Sequence, residues 1–361
     1  MCKMINNNYA IILAGGIGSR FWPISKVSTP KQFIDFDDDG ETLIQKTFVR
    51  IKKVVPINNI FISTNDLYRN LVLDQLSEVD KSHIIIEPEK RNTAPSILYA
   101  SLKINKINSE ARVIVCPSDH LISDISSFVL NAKLGFDFVA KYNRLLTFGV
   151  KPLRPETGFG YIMYGKKNKK IYDVIKFVEK PDKKTAKQYL KSDKYFWNTG
   201  IFLWKVSDII NAFKKHQPKM HLKISDGNKY LNTDKEYSFI NKVYSKTENI
   251  SIDYAILEKS SNCSVLKVDF KWNDFGTWSS IFEEIKFDKS KNKVISEKNF
   301  LKESSGNLIF NKTKKLIVLD QIKNLSIILT DDVLLIYPKG KDQELKNTVE
   351  QIKVKLKNKF T

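Results

Sequence analysis

Apolar residues come in short unbroken runs over the first 150 positions, at residues 9–13, 60–63, 84–87, 113–116 and 145–150. Runs of this kind, continuous rather than alternating, are what strands buried on both faces require. Between them Leu43, Thr47, Phe48 and Ile51 repeat at helical spacing, and Leu67, Leu71 and Leu76 do so less regularly. Such strand–helix alternation predicts a mostly parallel sheet covered by helices. Helix starts agree: Thr64 and Asn65 can cap the segment that follows, and Asn92-Thr93-Ala94-Pro95 supplies a cap with proline in the first turn, where its missing N–H costs little.

From Gly158 the pattern lengthens, with strands predicted over 161–164, 174–178, 196–204 and 265–270 and helices near 185–190 and 207–215. This region extends the core as a mixed sheet. Residues 216 to 250 have little periodicity and receive no element. Beyond about residue 288 short strands at 308–310, 316–319, 325–329 and 333–337 alternate with Asn, Lys and Asp turns, a spacing that suggests a small all-β, solenoid-like unit. A last helix sets Leu345, Val349, Ile352 and Leu356 in one stripe, suited to packing on the protein itself or on a second subunit. The expected division is therefore a domain over 1–287 and a β-rich unit with a terminal helix over 288–361.

Composition narrows the class. The chain has 361 residues, 42% of them hydrophobic, enough to bury a large core without disulfide or metal staples. No apolar run approaches the roughly 20 residues of a membrane span, and residues 1–8 are too polar for a secretory signal; a cytoplasmic protein with no membrane partner is expected. Cys2, Cys116 and Cys263 are far apart and form no C-x-x-C pair, which argues against zinc or a disulfide framework. The formal charge of +20 points to a polyanionic partner. Lysine and asparagine are abundant throughout, as at residues 166–170, so the excess reads as a diffuse bias and a nucleic-acid partner is not expected.

Candidate chemistry begins at Ala14-Gly15-Gly16-Ile17-Gly18-Ser19-Arg20, directly after the first strand. That position is the carboxyl edge of a parallel sheet, where open α/β folds bind ligands. Glycines there let backbone N–H groups approach an anion, although many strand exits use glycine merely to turn. The loop is neither a Rossmann fingerprint nor a Walker A loop. Arg20, together with Lys31 in Pro30-Lys31-Gln32-Phe33, gives the cradle two cations, which is what a triphosphate needs. Asp119 follows another strand in Cys116-Pro117-Ser118-Asp119-His120; it suits Mg²⁺ or, more simply, caps a loop. Asp274, in Trp272-Asn273-Asp274-Phe275-Gly276, is a candidate second ligand or an ordinary turn residue.

The ordered set AGGIGSRFWPIS, PKQF, EPEKRNTAPS, PSDH, TGFGYI, FVEKP, FWNTGIF and WNDFGTW resembles the bacterial mannose-1-phosphate guanylyltransferases of the sugar nucleotidyltransferase superfamily, over about residues 9–280 and in the short tail. The resemblance implies a Rossmann-like α/β nucleotidyltransferase domain with a small C-terminal β-solenoid-like unit and terminal helix. It implies that GTP and mannose 1-phosphate give GDP-mannose and pyrophosphate by direct attack on the α-phosphorus, with Mg²⁺ as cofactor. No protein nucleophile is needed, and the chain has no G-x-S-x-G elbow.

Residue by residue, the resemblance places Gly15, Gly16 and Gly18 around the nucleotide, with Leu13, Ala14, Ser19 and Ser118 beside them. Arg20 and Lys31 would neutralise the phosphates; Asp119 and Asp274 would hold Mg²⁺. Glu87, Asn92 and Thr93 would read guanine. Gly158, Glu179, Asn198 and Asp253 would bind the sugar, and Lys180 its phosphate. Phe159 and Phe275 depart from the family pattern beside these polar residues. A homodimer is expected, and no isomerase domain of the kind carried by longer bifunctional relatives. Two rivals remain: the same machinery acting on another sugar phosphate or nucleotide, and a catalytically silent nucleotide-sugar sensor.

Overall fold

In the computed structural model, residues 6–360 are described except 17, 37, 38, 284, 285, 342, 343 and 358, and the side chains of Ser19 and Glu283 are also outside the description. Two compact units emerge, one running to Gly15 and again over Ile44–Trp272, the other covering Gly16–Leu43 and Asn273–Thr361. These packing units do not coincide with a single cut at residue 287.

The first unit is built on β1 (Asn8–Leu13), β2 (Ile60–Asn65), β3 (Ile84–Glu87), β4 (Arg112–Pro117), the two-residue β5 (Leu121–Ile122), β6 (Leu145–Val150), β7 (Tyr161–Asn168), β8 (Ile171–Val178), β9 (Tyr195–Lys205) and β10 (Cys263–Lys267). All but β5 join one sheet in the order β3-β2-β1-β4-β9-β6-β10-β8-β7. Pairing is parallel from β3 to β4 and between β6 and β10, and antiparallel at β4–β9, β9–β6, β10–β8 and β8–β7. The apolar runs account for the parallel half: Ala10, Ile11 and Ile12 are wholly buried, as are Val113, Ile114 and Val115. Chain order reverses at β1, which has β2 on one side and β4 on the other. Ligands bind at such switch points, outside the carboxyl ends of the strands.

Helices α1 (Leu43–Lys52), α2 (Arg69–Gln75), α3 (Thr93–Ile107), α4 (Ile125–Lys141), α5 (Lys183–Ser192) and α6 (Val206–His216) connect the strands. Caps fix several starts: Asn92 accepts from the Thr93 N–H, Asp124 from Ser127 and Asp182 from Thr185, each replacing a bond the helix cannot make internally. Asn65 caps the turn before α2 as expected, accepting from the Tyr68 N–H at 3.2 Å. Thr64 does not; its hydroxyl donates to the Ala14 carbonyl at 3.0 Å.

Residues 216–250, silent in the sequence, contain α7 (Pro218–Ser225) and α8 (Glu236–Tyr244). Met220, Ile224, Leu231, Ile240 and Tyr244 are buried in the core that also contains α3 and α6. Helices of eight and nine residues cover little more than two turns, so only two or three apolar positions repeat on one face and the pattern does not stand out from chance; tertiary packing supplies their stability. Glu236 at the start of α8 accepts both from Lys103 Nζ of α3, at 2.6 Å to each carboxylate oxygen, and from Tyr99 of the same helix. Removing one member of such a buried pair strands the other charge, at a cost of about 3–5 kcal/mol.

After β11 (Trp272–Asn273) the second unit continues with α9 (Trp278–Glu283), then β12 (Lys293–Ser296), β13 (Asn299–Lys302), β14 (Leu308–Asn311), β15 (Ile317–Asp320), β16 (Leu325–Leu329), β17 (Leu334–Pro338) and α10 (Leu345–Leu356). β12, β14 and β16 form one parallel ladder, β13 and β15 a second, and β17 closes the first by running antiparallel to β16. Successive coils thus donate one strand to each of two sheets, as in a solenoid. Inside, the wholly buried Asn292 and Asn307 stack: Asn292 Oδ1 accepts from the Asn307 backbone at 3.0 Å and side chain at 3.1 Å. The terminal stripe is only half used, with Leu345 and Val349 buried and Leu356 exposed.

Candidate functional site

Leu13 and Ala14 end β1 as scaffold. The Leu13 carbonyl accepts from the Ser118 N–H at 3.0 Å, and the Ala14 N–H donates to the Ser63 carbonyl at 2.7 Å. The strand exits of β1, β2 and β4 are thereby tied together, and Gly15 opens beside them. A Cβ on Gly15 would lie 3.6 Å from Oε1 of Glu87, so the carboxylate at the end of β3 faces the start of the glycine loop.

Glu87 sits in a cage of hydroxyls. Ser63 of β2 and Ser96 of α3 each donate to its Oε1 at 3.0 Å, and Tyr244 of α8 donates to Oε2 at 2.7 Å. Burial pushes the carboxyl above its ordinary range, and the three hydroxyls pull it part of the way back. Burial and the Glu87 charge push the Tyr244 phenol well up, so it remains a neutral donor. Asn92, which opens the adjoining helix, takes φ 64° and ψ −169°, a conformation that belongs almost entirely to glycine and costs of order 1–3 kcal/mol. The Thr93 hydroxyl oxygen accepts from the Ile252 N–H at 2.9 Å, and the Ala94 N–H reaches the Ile250 carbonyl at 3.1 Å. The Thr93 hydroxyl therefore holds the chain at Ile252.

The loop after β4 is braced from below. Thr47 donates to the Ser118 carbonyl at 3.3 Å, and the buried Arg50 donates to the Thr47 hydroxyl at 3.0 Å. Asp119 lies 3.8 Å from His120 Nε2. Because the Trp272 indole N–H donates to His120 Nδ1 at 3.2 Å, the neutral ring carries its proton on Nε2, toward Asp119. Cys116, at the end of β4, is fully covered, and burial pushes its thiol up to about 12. Cys263 is buried and likewise pushed up to about 12. Neither behaves as a nucleophile or metal ligand, and Cys2 lies outside the described residues.

A second polar group joins Asn198, Asp253 and Glu179. Asn198 donates from Nδ2 to Asp253 Oδ1 at 2.9 Å while its Oδ1 accepts from the Thr147 hydroxyl at 2.9 Å and the Gly200 N–H at 3.2 Å. Burial, then the neighbouring Glu179 charge, pushes Asp253 up to about 7. Lys180 pairs with Glu179 and takes a left-handed backbone, φ 49°. The glycine packed against this group is Gly160, where a Cβ would come 2.4 Å from Glu179 Oε2 and 3.3 Å from Asn198 Cβ. Gly158 instead donates its N–H to Glu156 at 3.1 Å. Phe159 packs edge-on against Trp197 and Trp272, with ring centroids 5.1 and 5.0 Å away.

Gly16, Gly18, Arg20, Lys31 and Asp274 belong to the second unit. Gly18 has φ 71°, and a Cβ there would fall 2.5 Å from Lys31 Cβ, so only glycine fits. Lys31 is 4% exposed, lies 5.4 Å from the centre of the Phe21 ring and donates to the Asp274 carbonyl at 2.6 Å. Gln32 holds the Gly16 carbonyl at 3.0 Å. Arg20 stands in a one-turn helix, Ser19–Phe21. Asp274 Oδ1 accepts from the Gly276 N–H at 3.0 Å. Phe275, at φ 44° and wholly buried, packs on Phe36 at 6.0 Å. Asp119 in the first unit and Asp274 in the second each offer a hard oxygen donor, the type that Mg²⁺ prefers; among the described residues no cluster of three or more His, Cys, Asp or Glu is arranged to hold a metal.

Ser63, Ser96, Tyr244 and Gly160 had no signal in the sequence. Hydroxyls are too common to mark a site, and Gly158 and Gly160 differ only in what packs against them.

Among the described residues no helix is long and apolar enough to cross a membrane. Residues 9–291 match the nucleotidyl transferase family model. The chain is 36% identical over 358 residues to a mannose-1-phosphate guanylyltransferase of Salmonella muenchen, covering 96% of this chain and 74% of the relative. It is 34% identical over 352 residues to one of Escherichia coli, covering 95% and 75%. A crystal structure described as mannose-1-phosphate geranyltransferase from Thermus thermophilus superposes with a TM-score of 0.86 at 25% identity, covering 96% of this chain and all of that one. A switch-point glycine loop, a caged carboxylate beside it and a family match across both place this chain in the nucleotidyl transferase family.

Proposed function

We propose that this chain transfers a guanylyl group from GTP to mannose 1-phosphate, giving GDP-mannose and pyrophosphate. The observation that carries the reading is Glu87, a hydroxyl-caged acceptor beside Gly15 at the carboxyl edge of the parallel strands. Guanine offers N–H donors at that edge of the base where adenine offers an acceptor, so an ionised carboxylate favours guanine. The relatives named for this activity support the same choice.

In this reading the sugar phosphate oxygen attacks the α-phosphorus in line, and the protein contributes positioning and charge. Arg20 and Lys31 neutralise the phosphates, while Asn198, Glu179 and Asp253 hold the sugar hydroxyls and Lys180 its phosphate. Mg²⁺, held by Asp119 and Asp274, would supply charge neutralisation at the phosphates. A cytoplasmic homodimer is part of the proposal. The test is pyrophosphate release from each nucleoside triphosphate against a panel of sugar 1-phosphates, with and without Mg²⁺. GTP with mannose 1-phosphate is expected to lead; preference for UTP or dTTP overturns the guanine assignment, and no turnover with any pair favours a silent sensor.

A further inference from the structure

The helical segment that the sequence left blank ends on a side chain that touches the base-reading carboxylate. Glu87 has about four lone-pair positions on its two oxygens when ionised. Ser63 and Ser96 occupy those of Oε1, and Tyr244 takes one on Oε2. One position on Oε2 is left for a ligand. Tyr244 itself is 0% exposed and is held at both ends of its helix: Glu236 locks the first turn of α8 to Lys103 and Tyr99 of α3, and the Tyr244 carbonyl accepts from Thr247 Oγ1 at 2.6 Å. Beyond it, Ile250 and Ile252 bond to Ala94 and Thr93 at the opposite end of α3 from Lys103. Segment 236–252 is thus strapped along α3, with the Tyr244 hydroxyl delivered to Glu87.

We propose that Tyr244 is a positioning residue that fixes Glu87 as a single acceptor for the purine edge, so that α8 sets the preference for a guanine over an adenine nucleotide. The inference rests on the reading that this site takes GTP. An ionised Glu87 can only accept, which matches guanine N1–H and its 2-amino group. A protonated Glu87 both donates and accepts, which matches the N1 acceptor and 6-amino donor of adenine. The Tyr244 hydroxyl favours the first form by donating to it. The other titratable and charged groups around this pair are Tyr99 of α3 and, acting on Tyr244, Arg91 before α3. Both tyrosines are pushed upward and stay neutral, so Glu87 is the member whose charge changes on acidification.

The test compares kcat/KM for GTP and for ATP, with mannose 1-phosphate and Mg²⁺, across pH, in the full chain and in Tyr244→Phe. The variant is expected to lower the GTP-over-ATP ratio about tenfold, with a raised KM for GTP, and to move the acid-side fall of that ratio to higher pH. Ser96→Ala, which takes a donor from Oε1, is expected to act in the same direction. A folded Tyr244→Phe with unchanged ratio and pH profile overturns the proposal. If that variant does not fold, an unchanged ratio in Ser96→Ala overturns it. A wild-type protein that prefers another nucleotide overturns the guanine reading, and this inference with it; a wild type that prefers GTP leaves the two outcomes separable.

Discussion

Glu87 and Asp253 are carboxylates withdrawn from water in the same unit, and they are stabilised in opposite ways. Glu87 is met by three neutral hydroxyl donors, whereas Asp253 is met by the Asn198 amide and the Ser251 side chain and lies beside the opposed charges of Glu179 and Lys180. Burial raises both carboxyls; the hydroxyls pull Glu87 back toward the ionised, purely accepting form, whereas at Asp253 the Glu179 charge adds to burial and the group is pushed up to about 7. In the proposed function this contrast would separate recognition of a base, which needs a fixed donor–acceptor pattern, from recognition of sugar hydroxyls, which can donate or accept and tolerate either form.

The largest expected effect tests the sugar-side half of that contrast. The folded Asp253 carboxyl is raised from 3.8 to about 7, so the folded state holds the proton more tightly than the unfolded chain. Its contribution to stability is complete below the unfolded value and is lost as pH rises through about 7, an upper bound on the order of 4 kcal/mol. Urea melts should show wild-type stability declining between about pH 4 and 7, with Asp253→Asn flatter over the same window. Parallel curves for the two proteins would remove Asp253 as the titrating group.

Next in size, Glu87→Ala should cut kcat/KM for GTP about 100-fold while leaving the KM for mannose 1-phosphate nearly unchanged. A loss shared equally between both substrates would mean that the cage supports the fold rather than reads the base. The smallest effects come from the glycines beside the two carboxylates. Gly160→Ala puts a Cβ 2.4 Å from Glu179 Oε2, at the mobile end of a side chain, so the cost should appear as a several-fold higher KM for the sugar phosphate. Gly15→Ala meets Glu87 Oε1 at an ordinary 3.6 Å and should change stability by less than about 0.5 kcal/mol. Equal loss of stability in both variants would show that the two carboxylates are equally crowded, and the comparison would fail.

Most of the parallel half of the sheet was legible beforehand. Residues 84–87 and 113–116 form strands as expected, because a continuous apolar run can be satisfied only between two covered faces. The solenoid character of the tail was legible from turn spacing, although β12 and β13 were not, since Lys293, Ser296, Asn299 and Lys302 dilute their apolar content. Region 216–250 was unreadable because its helices are short and repeat too few apolar positions to stand out, although those positions pack in the core with α3 and α6. The candidate site divides in the same way: Glu87, Asn198 and Asp253 were picked out through motifs, whereas Ser63, Ser96, Tyr244 and Gly160 are commonplace residues until neighbours give them a role.

By itself the sequence determined where apolar segments must be buried, where the backbone must turn through glycine, and which family the ordered motifs belong to, because these depend on residues within a few positions of one another. Tertiary structure alone decided that Tyr244 meets Glu87, 157 residues away, and that Glu236 meets Lys103 across 133. Hydrogen bonds hold over about 3 Å and carry no periodic trace along the chain, so only the folded arrangement of α3, α8 and the strand ends could turn scattered hydroxyls into a cage around one carboxylate.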